Sequence, residues 1–260
     1  MGDSPWASAH AAAAAAGVSL RPLTSVRDAD GVLEVMIATW GNHQLLPREM
    51  IVALGESGNA PFGAFDDEDR LVGYVLGWAG VDAGGLHIHS HMLAALPDRR
   101  HHGIGTALKL AQRAQALEQG VHVVRWTFDP MVARNAWVNL GKLGAVADRF
   151  RRDFYGAMTD SLNDGERSDR LVVRWDLDRE PGPRPVPDDA ATVTVPRDYP
   201  ELRERDPESA RAARDETAAA LESQLGGDRV VVAFDRDRSA YLLAEEPGAL
   251  RRSTTDEAGR

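Results

Sequence analysis

The most informative part of the chain is Pro97-Asp98-Arg99-Arg100-His101-His102-Gly103-Ile104-Gly105-Thr106-Ala107-Leu108. It follows a predicted strand, lacks bulky apolar residues in its first half, and leads directly into a predicted helix. Gly103 and Gly105 allow a ligand to approach the backbone closely. The free N–H groups and the dipole at the start of the helix attract anions, and four basic side chains precede them. The stretch therefore predicts a binding loop for a pyrophosphate.

The segments around this loop alternate between strand and helix patterns. Alternating or β-branched runs predict strands, and these lie at 18–23, 60–66, 71–80, 86–95, 121–128, 145–150 and 171–177. Helical spacing predicts helices at 27–40, from Pro47, from the loop to Gly120, and at 133–143. In the helix after the loop, Lys109, Gln112 and Arg113 are expected on a polar face. This order predicts an α/β fold with some parallel pairing.

The chain is predicted to contain one main domain and a small extension. Residues 1–17 contain a short alanine run without a preceding basic residue, which is typical of a disordered leader and not of a secretory signal. The main domain covers 18–178. Prolines at alternate positions predict an extended linker over 179–190. The pattern over 191–247 predicts a helix and a hairpin, too few residues for an independent core, and 248–260 is predicted to be a disordered tail.

Composition excludes several classes of protein. The 260 residues include 30 Lys and Arg against 40 Asp and Glu, a net charge of −10. Such a charge repels the phosphate backbone at long range, so we expect no nucleic-acid partner. The absence of cysteine excludes disulfides, thiolate metal sites and a cysteine nucleophile. No apolar run approaches the ~18 residues that cross a bilayer, so we expect a cytoplasmic protein without a membrane partner.

The pattern Arg100-x-x-Gly103-x-Gly105 resembles the acyl-CoA pyrophosphate loop of the GNAT acyltransferase superfamily. Neither a P-loop nor a Gly-x-Gly-x-x-Gly dinucleotide loop is present. The resemblance extends over 18–178 in the order of strands and helices, and 135–145 is similar to the last helix of the family. The stretches 126–130 and 134–136 are similar to a bacterial subgroup of predicted GNAT proteins. The family implies a mixed, mostly antiparallel sheet flanked by helices, here with a small C-terminal α+β extension.

The resemblance also implies a reaction and a co-substrate. Acetyl-CoA would lie where the strand that ends near Ala95 diverges from the strand 121–128, and an amine would attack its thioester directly in a ternary complex. The residues implied to bind acetyl-CoA are Leu93, Ala94, Ala95, Arg100, His101, His102, Gly103, Ile104, Gly105, Thr106 and Asn135. Trp40 and His43 fall where the family often places the acceptor amine.

The candidate base is a histidine of the strand 86–95. His87, His89 and His91 alternate, so a strand presents them on one face, and an imidazole titrates in a range useful for deprotonating an ammonium. Packing or hydrogen-bonding histidines, and a metal triad, are the alternatives to His89 or His91 as the base. Asp129 is a second catalytic candidate, with an Asx cap as its alternative.

The proton donor is left unassigned. The family's tyrosine position in the last helix is Leu140, which cannot donate a proton, and Tyr155 is a substitute that the sequence suggests. The absence of a tyrosine there motivates a second hypothesis, a non-catalytic acyl-CoA-binding module, and the histidine strand a third, a metal-dependent enzyme, although no metal is expected. The acceptor, a small-molecule or peptide amine, stays open, and so does a homodimer.

Overall fold

The structure of the protein is a computed structural model that describes residues 4–41, 45–100, 102–156, 166–226 and 228–245. The chain divides into two compact units. The first comprises Met1–Thr127, Asp153–Ser168 and Arg174–Glu180, and the second comprises Phe128–Arg152, Asp169–Val173 and Pro181–Arg260. The predicted division differs from this one, because it assigns 128–152 to the main domain and not to the C-terminal part.

The first unit contains the elements on both sides of the glycine loop. Its elements are α1 (Pro5–Ala15), β1 (Ser19–Pro22), α2 (Val26–Trp40), α3 (Arg48–Glu56), β2 (Phe62–Phe65), β3 (Leu71–Asp82), β4 (Gly85–Ala95), α4 (Ile104–Glu118) and β5 (Val123–Phe128, whose last residue belongs to the second unit). Strands β1 to β4 pair as antiparallel neighbours in chain order, and β5 pairs parallel to β4. The helix α2 begins at a capping box formed by Ser25 and Asp28.

The second unit contains the last helices and the C-terminal strands. It includes α5 (Ala133–Ala136), which continues as a π-helical turn over Trp137–Lys142, then β6 (Val146–Arg151), β8 (Ala191–Thr194), α6 (Tyr199–Arg205), α7 (Pro207–Gln224), β9 (Arg229–Asp235) and β10 (Ala240–Glu245), while β7 (Arg170–Asp176) has residues in both units. Strand β6 pairs with β9, β9 with β10 and β10 with β8, all antiparallel. Val146 packs with Val230, Val232 and Ala244, which explains why 128–152 belongs with the extension.

The predicted fold class is confirmed, since the structure is an α/β arrangement with a largely antiparallel sheet flanked by helices. Within the described residues, no helix has both the length and the apolar composition required to cross a membrane.

Helix α1 lies where the sequence predicts a disordered leader, and that prediction is wrong for residues 5–15. Ser4 caps the helix by accepting a hydrogen bond from the Trp6 amide. The helix packs against α4, and the Trp6 indole donates a 2.6 Å hydrogen bond to Glu118 and contacts the ring of Phe62. The alanine run gains a partner only through this long-range contact, which local sequence patterns do not show.

Helix α4 has no solvated polar face. Lys109, Gln112 and Arg113 are all buried, with exposures of 4%, 5% and 4%. Strands β2 to β4 and helix α1 all contact α4, so the helix has packed neighbours on more than one side. The prediction of an exposed polar face was therefore wrong, because it assumed that only one side of the helix would be covered.

Candidate functional site

An opening lies between β4 and β5 at their C-terminal ends. The parallel ladder between the two strands consists of Ile88 opposite Val124 and His89 opposite Arg125. Beyond these pairs β4 continues to Ala95 as an antiparallel partner of β3 alone. The edge of β4 that faces β5 therefore keeps backbone groups available for a ligand along the last part of the strand.

A β-bulge interrupts β4 where the two strands separate. Leu76 of β3 pairs with Met92 and Gly77 pairs with Ser90, so His91 is the extra residue of the bulge. A bulge re-aims side chains and is common beside functional sites. Here the bulge follows Ser90 directly, at the start of the opening.

The glycine loop connects β4 to α4 with the geometry that the sequence predicts for an anion site. Gly103 has φ of +89° and forms the N-terminal boundary of α4, where no side chain among the described residues caps the helix. The nearest atom to a Cβ at Gly103 would be the Ala16 methyl at 3.7 Å. At Gly105 the nearest would be a Leu93 methyl at 3.3 Å. There is therefore space beside Gly103, while Gly105 lies against Leu93 at the end of β4. The uncapped start of α4 beside Gly103 fits the pyrophosphate end of acetyl-CoA.

Two of the four basic side chains of the loop are already engaged. The Arg99 guanidinium donates to Asp66 at 3.0 Å, and the Arg100 Nε donates to the Ala95 carbonyl at 3.4 Å. His102 is exposed and available to an anion, whereas His101 lies outside the described residues. Arg100 thus ties the loop to the last residue of β4.

The predicted acetyl-CoA contacts of the first unit lie along one continuous path. Leu93, Ala94 and Ala95 form the end of β4, and the loop residues Ile104 to Thr106 form the first turn of α4. Ile104 is buried, while Gly105 and Thr106 are half-buried. Asn135 is exposed on α5 of the second unit, so its role in binding stays a prediction.

Two of the three alternating histidines pack against one tryptophan with tilted rings. The ring of Trp78 lies 5.2 Å from that of His89 and 4.9 Å from that of His91. Burial, followed by the charges of its neighbours His91, His87 and Lys109, lowers the pKa of His89 to about 4. Burial also lowers the pKa of His91, whose ring is nevertheless exposed at one side. Both imidazoles are therefore neutral at physiological pH and able to accept a proton.

The third histidine has different surroundings. His87 is buried and its Nδ1 lies 3.2 Å from the Gly85 carbonyl, near the turn of the β3–β4 hairpin. Within the residues that the structure describes, no three His, Asp or Glu side chains are grouped so that they could hold a metal ion.

A buried lysine lies on the opposite face of β4. The Lys109 amine donates to the Ser90 hydroxyl at 2.7 Å and to the Gln112 amide oxygen at 3.3 Å. It also lies 3.9 Å from the centre of the Trp126 ring of β5. Burial lowers the pKa of Lys109 to about 7. Sequence reasoning missed this group, although one signal was present: the chain has 28 arginines and only two lysines, Lys109 and Lys142.

Tyr155 lies beside the end of β5. Its hydroxyl is 3.2 Å from the Thr127 hydroxyl, and its backbone is held by a hydrogen bond from its amide to Ser168. Parallel register places Thr127 two residues beyond Arg125, level with His91 on β4. Leu140, the other position that the sequence considers for a proton donor, is fully buried in the second unit.

Asp129 is held by an arginine of the second unit. Its carboxylate accepts two hydrogen bonds from Arg214, at 3.2 and 3.0 Å, and one from the Met131 amide at 2.8 Å. Asp129 therefore forms an Asx turn, but it does not cap the next helix as the sequence alternative proposed, because α5 begins after Val132 and no side chain among the described residues caps it. The catalytic role of Asp129 stays a prediction that no contact described here supports.

The structure does not test the two residues predicted to contact the acceptor. Trp40 is the last residue of α2 and is half-buried. His43 lies outside the described residues. Their role stays a prediction.

The glycine loop and the opening between β4 and β5 define the fold class of this protein. It is an α/β fold in which an opening runs from the start of α4 to the point where β4 and β5 separate. Residues 33–141 match the model of the acetyltransferase (GNAT) family. The resemblance stated from the sequence is thereby confirmed.

Solved structures of low sequence identity share the fold. A protein named as an acetyltransferase from Acinetobacter baylyi is 17% identical with a TM-score of 0.51, over 66% of this chain and 98% of that one. Naa20 from Chaetomium thermophilum in complex with a bisubstrate analogue is 17% identical with a TM-score of 0.50, over 63% of this chain and 88% of that one. A search of curated proteins finds no match.

Proposed function

We propose that the protein is an N-acetyltransferase that moves an acetyl group from acetyl-CoA to an amine. The observation that carries this proposal is the juxtaposition of the Gly103 loop with the end of β4, where the ladder between β4 and β5 has already ended. One end of this path suits a pyrophosphate and the other leaves strand backbone for a pantetheine chain. The match of residues 33–141 to the acetyltransferase family supports the same reaction.

Acetyl-CoA would be held largely by backbone. The N–H groups of Gly103 to Thr106 would bind the pyrophosphate, with His101 and His102 adding positive charge, and Arg100 would keep the loop attached to β4. The backbone of Leu93 to Ala95 would bind the pantetheine and polarise the thioester carbonyl. Fixed donors of this kind lower the barrier by stabilising the developing oxyanion.

His91 is the base that we propose. It lies in the bulge where the strands part, with one side exposed, and it is neutral at physiological pH because burial lowers its pKa. His89 shares the same tryptophan but is a weaker base, since its pKa is lowered to about 4. The Asp129 carboxylate is less suited to this role, because Arg214 already neutralises it.

The acceptor is proposed as a primary amine of a small molecule or a peptide, with Trp40 and His43 as further contacts. The structural neighbour Naa20 was solved with a bisubstrate analogue, which is consistent with a ternary complex and direct attack. A cytoplasmic location and a homodimer are further parts of this proposal. The competing function, a non-catalytic acyl-CoA-binding module, is favoured by one observation, the buried leucine at position 140.

The test of the binding loop replaces Gly103 with valine. A β-branched residue at positive φ disturbs the loop and blocks close approach of a ligand, so we expect acetyl-CoA affinity to fall more than tenfold, about 1.4 kcal/mol. Isothermal titration calorimetry measures the affinity. Gly120→Val is the matched control, since Gly120 also has positive φ, +72°, but follows the far end of α4.

The result that contradicts the proposal is equal affinity for acetyl-CoA in both variants with circular dichroism spectra like the original protein. Wild-type protein that binds no acetyl-CoA would contradict it as well. Release of CoA thiol from acetyl-CoA on addition of an amine library then separates the enzyme from the non-catalytic module, which binds without turnover.

A further inference from the structure

Lys109 is a cation buried in the interior of the first unit without a carboxylate. It is 4% exposed, and its hydrogen-bonding partners among the described residues are the neutral groups of Ser90 and Gln112. An ammonium ion in such a place loses its hydration and regains only part of that energy from two hydrogen bonds and the face of Trp126. A buried charge of this kind is costly unless it is paired.

The position of Lys109 in the fold is a more specific argument for a function than its burial. Ser90 follows His89, the last residue of β4 that pairs with β5, and precedes the bulged residue His91. Trp126 follows Arg125, the corresponding last paired residue of β5. The amine thus contacts one residue on each strand at the point where the strands separate, from the side of α4, the helix that begins at the glycine loop.

The identity of the residue adds a second argument. Arginine fills 28 of the 30 basic positions, yet the position at the separation of the strands has lysine. An arginine cannot give up its proton at any physiological pH, whereas a buried lysine can. Of lysine and arginine, only lysine can lose and regain a proton at this position.

We infer that Lys109, acting through the hydroxyl of Ser90, delivers the proton that the sulfur of CoA takes up when the thioester is cleaved. This inference rests on the proposed function, because it requires that the thioester lie in the opening between β4 and β5. Lys109 does not touch the substrate in this scheme and is a positioning residue, while Ser90 makes the contact.

The step balances in atoms and charge. The acceptor nitrogen forms a bond to the acetyl carbon, the carbon–sulfur bond breaks, and its electron pair goes to sulfur. The Ser90 hydroxyl proton passes to sulfur as a proton from the Lys109 ammonium passes to the Ser90 oxygen. The proton lost by the attacking amine goes to His91, and Lys109 regains its proton from solvent after the products leave.

The pKa of Lys109 supports this role. Burial lowers it to about 7, below that of an ordinary thiol at about 8.5. The amine is therefore substantially protonated at neutral pH, and a neighbouring thiolate and the ammonium each favour the charged form of the other until the proton moves between them. The titratable group that interacts with Lys109 from the other face of β4 is His89, which is neutral under these conditions.

The test measures ionisation of the thiol of bound CoA, which requires no acceptor amine. Ultraviolet absorbance of the thiolate is followed against pH for CoA bound to the wild type, Lys109→Met, Lys109→Arg and Ser90→Ala. We expect the wild type to shift the thiol ionisation constant at least tenfold towards the thiolate. Lys109→Met and Ser90→Ala should lose the shift, and Lys142→Met, the only other lysine replaced, should keep it.

Lys109→Arg separates charge from proton transfer. The guanidinium should keep most of the thiol shift, because it is still a cation, but acetyl transfer should be slower than in the wild type, because it cannot donate the proton. A merely structural role for Lys109 predicts no such division between the two measurements.

The outcomes distinguish the inference from the function on which it rests. If the wild type does not bind CoA, the proposed function fails. If all variants bind CoA and the thiol ionises as in free CoA, or if Tyr155→Phe and not Lys109→Met removes the shift, the function stands and the inference is overturned. Should Lys109→Met not fold, Ser90→Ala decides by the same measurement.

Discussion

The two units each bury a cation, and they compensate it in different ways. In the second unit, Arg214 is 4% exposed and donates two hydrogen bonds to Asp129 and one to Tyr199. In the first unit, Lys109 is equally buried but has only neutral partners. The consequence for ionisation is opposite: despite burial, the Asp129 carboxylate and Tyr199 raise the pKa of Arg214, whereas burial lowers that of Lys109 to about 7.

This difference separates a structural charge from a titratable one. Arg214 stays charged at every accessible pH, so with Asp129 it links the segment after β5 to α7 permanently. Among the residues that the structure describes, Lys109 has no carboxylate partner, so it can lose its proton without leaving a buried carboxylate behind. A charged group that is free to change state is expected where chemistry occurs, and one that is held in a pair is expected where the fold is stabilised.

The largest effect is expected from breaking the pair in the second unit. Arg214→Met removes the cation that donates two hydrogen bonds to Asp129, and Asp129→Asn removes the carboxylate that pairs with the buried guanidinium. We expect each to lower the free energy of unfolding by about 3–5 kcal/mol. Urea denaturation at pH 7 measures the loss, and the double variant should lose less than the sum of the two.

Glu201→Gln provides the control for an exposed pair, since Glu201 and Arg205 form an i,i+4 pair with side chains 68% and 71% exposed. It should change stability by about 0.5 kcal/mol or less. If Asp129→Asn were as mild as Glu201→Gln, the pair would not be the structural element that the comparison makes it.

A smaller effect, on rate, is expected at the proposed base. Arg214 neutralises Asp129, so His91 is the better candidate for the base. His91→Ala should therefore lower kcat roughly 100-fold, about 2.7 kcal/mol, and leave acetyl-CoA affinity unchanged. Because burial lowers the pKa of His91, the activity of the wild type should persist below the ordinary histidine pKa of 6.5 as pH falls. Steady-state kinetics against pH with an identified acceptor measures both.

His122→Ala is the control histidine, since His122 is exposed and pairs with Asp178 at the surface. Unchanged kcat in both His89→Ala and His91→Ala, together with an inactive but folded Asp129→Asn, would transfer the role of base to Asp129.

The smallest of the three effects is the change in stability between pH 7 and pH 9 that is due to Lys109. Between about 7, its pKa in the folded protein, and its ordinary value of 10.5, the unfolded chain binds a proton that the folded protein has released. The free energy of unfolding should therefore rise with pH through this window, by about 1 kcal/mol per unit, and the penalty for burying the charge is complete below pH 7. Lys109→Met should remove this slope.

The measurement compares urea midpoints of the wild type and Lys109→Met at pH 7 and pH 9, so that other titrating groups cancel. Lys142→Met, an exposed lysine, should keep the wild-type slope. Equal slopes in the wild type and Lys109→Met would show that Lys109 keeps its charge in the folded protein, and the contrast with Arg214 would disappear.

Local patterns in the sequence predicted most elements of the fold and the binding loop. The hairpin of β2 and β3, the strand β4, the parallel step to β5 and the helix after Gly103 all depend on residues close together in the chain, such as alternating apolar residues and a glycine that tolerates positive φ. The family resemblance on Arg100, Gly103 and Gly105 has the same local origin, and the match over 33–141 agrees with it.

The sequence misplaced the residues whose surroundings come from distant segments. Asn135 and Asn139 are four residues apart and would share one face of a regular α-helix. The helix instead changes to a π-helical turn at Trp137, and the first is exposed while the second is buried. Residues 5–15 form a helix because α4 covers them. Asp129 is paired because Arg214, 85 residues later, reaches it.

What the sequence by itself determined is therefore the class of fold, the glycine loop and the histidines of β4, because hydrogen-bonding periodicity and backbone sterics act over a few residues. Tertiary structure alone decided which charges are buried and with what partner. An ionised group loses or keeps its hydration according to everything packed around it. Helical spacing therefore placed Lys109 on a polar face, whereas the structure buries it beneath the point where β4 and β5 separate.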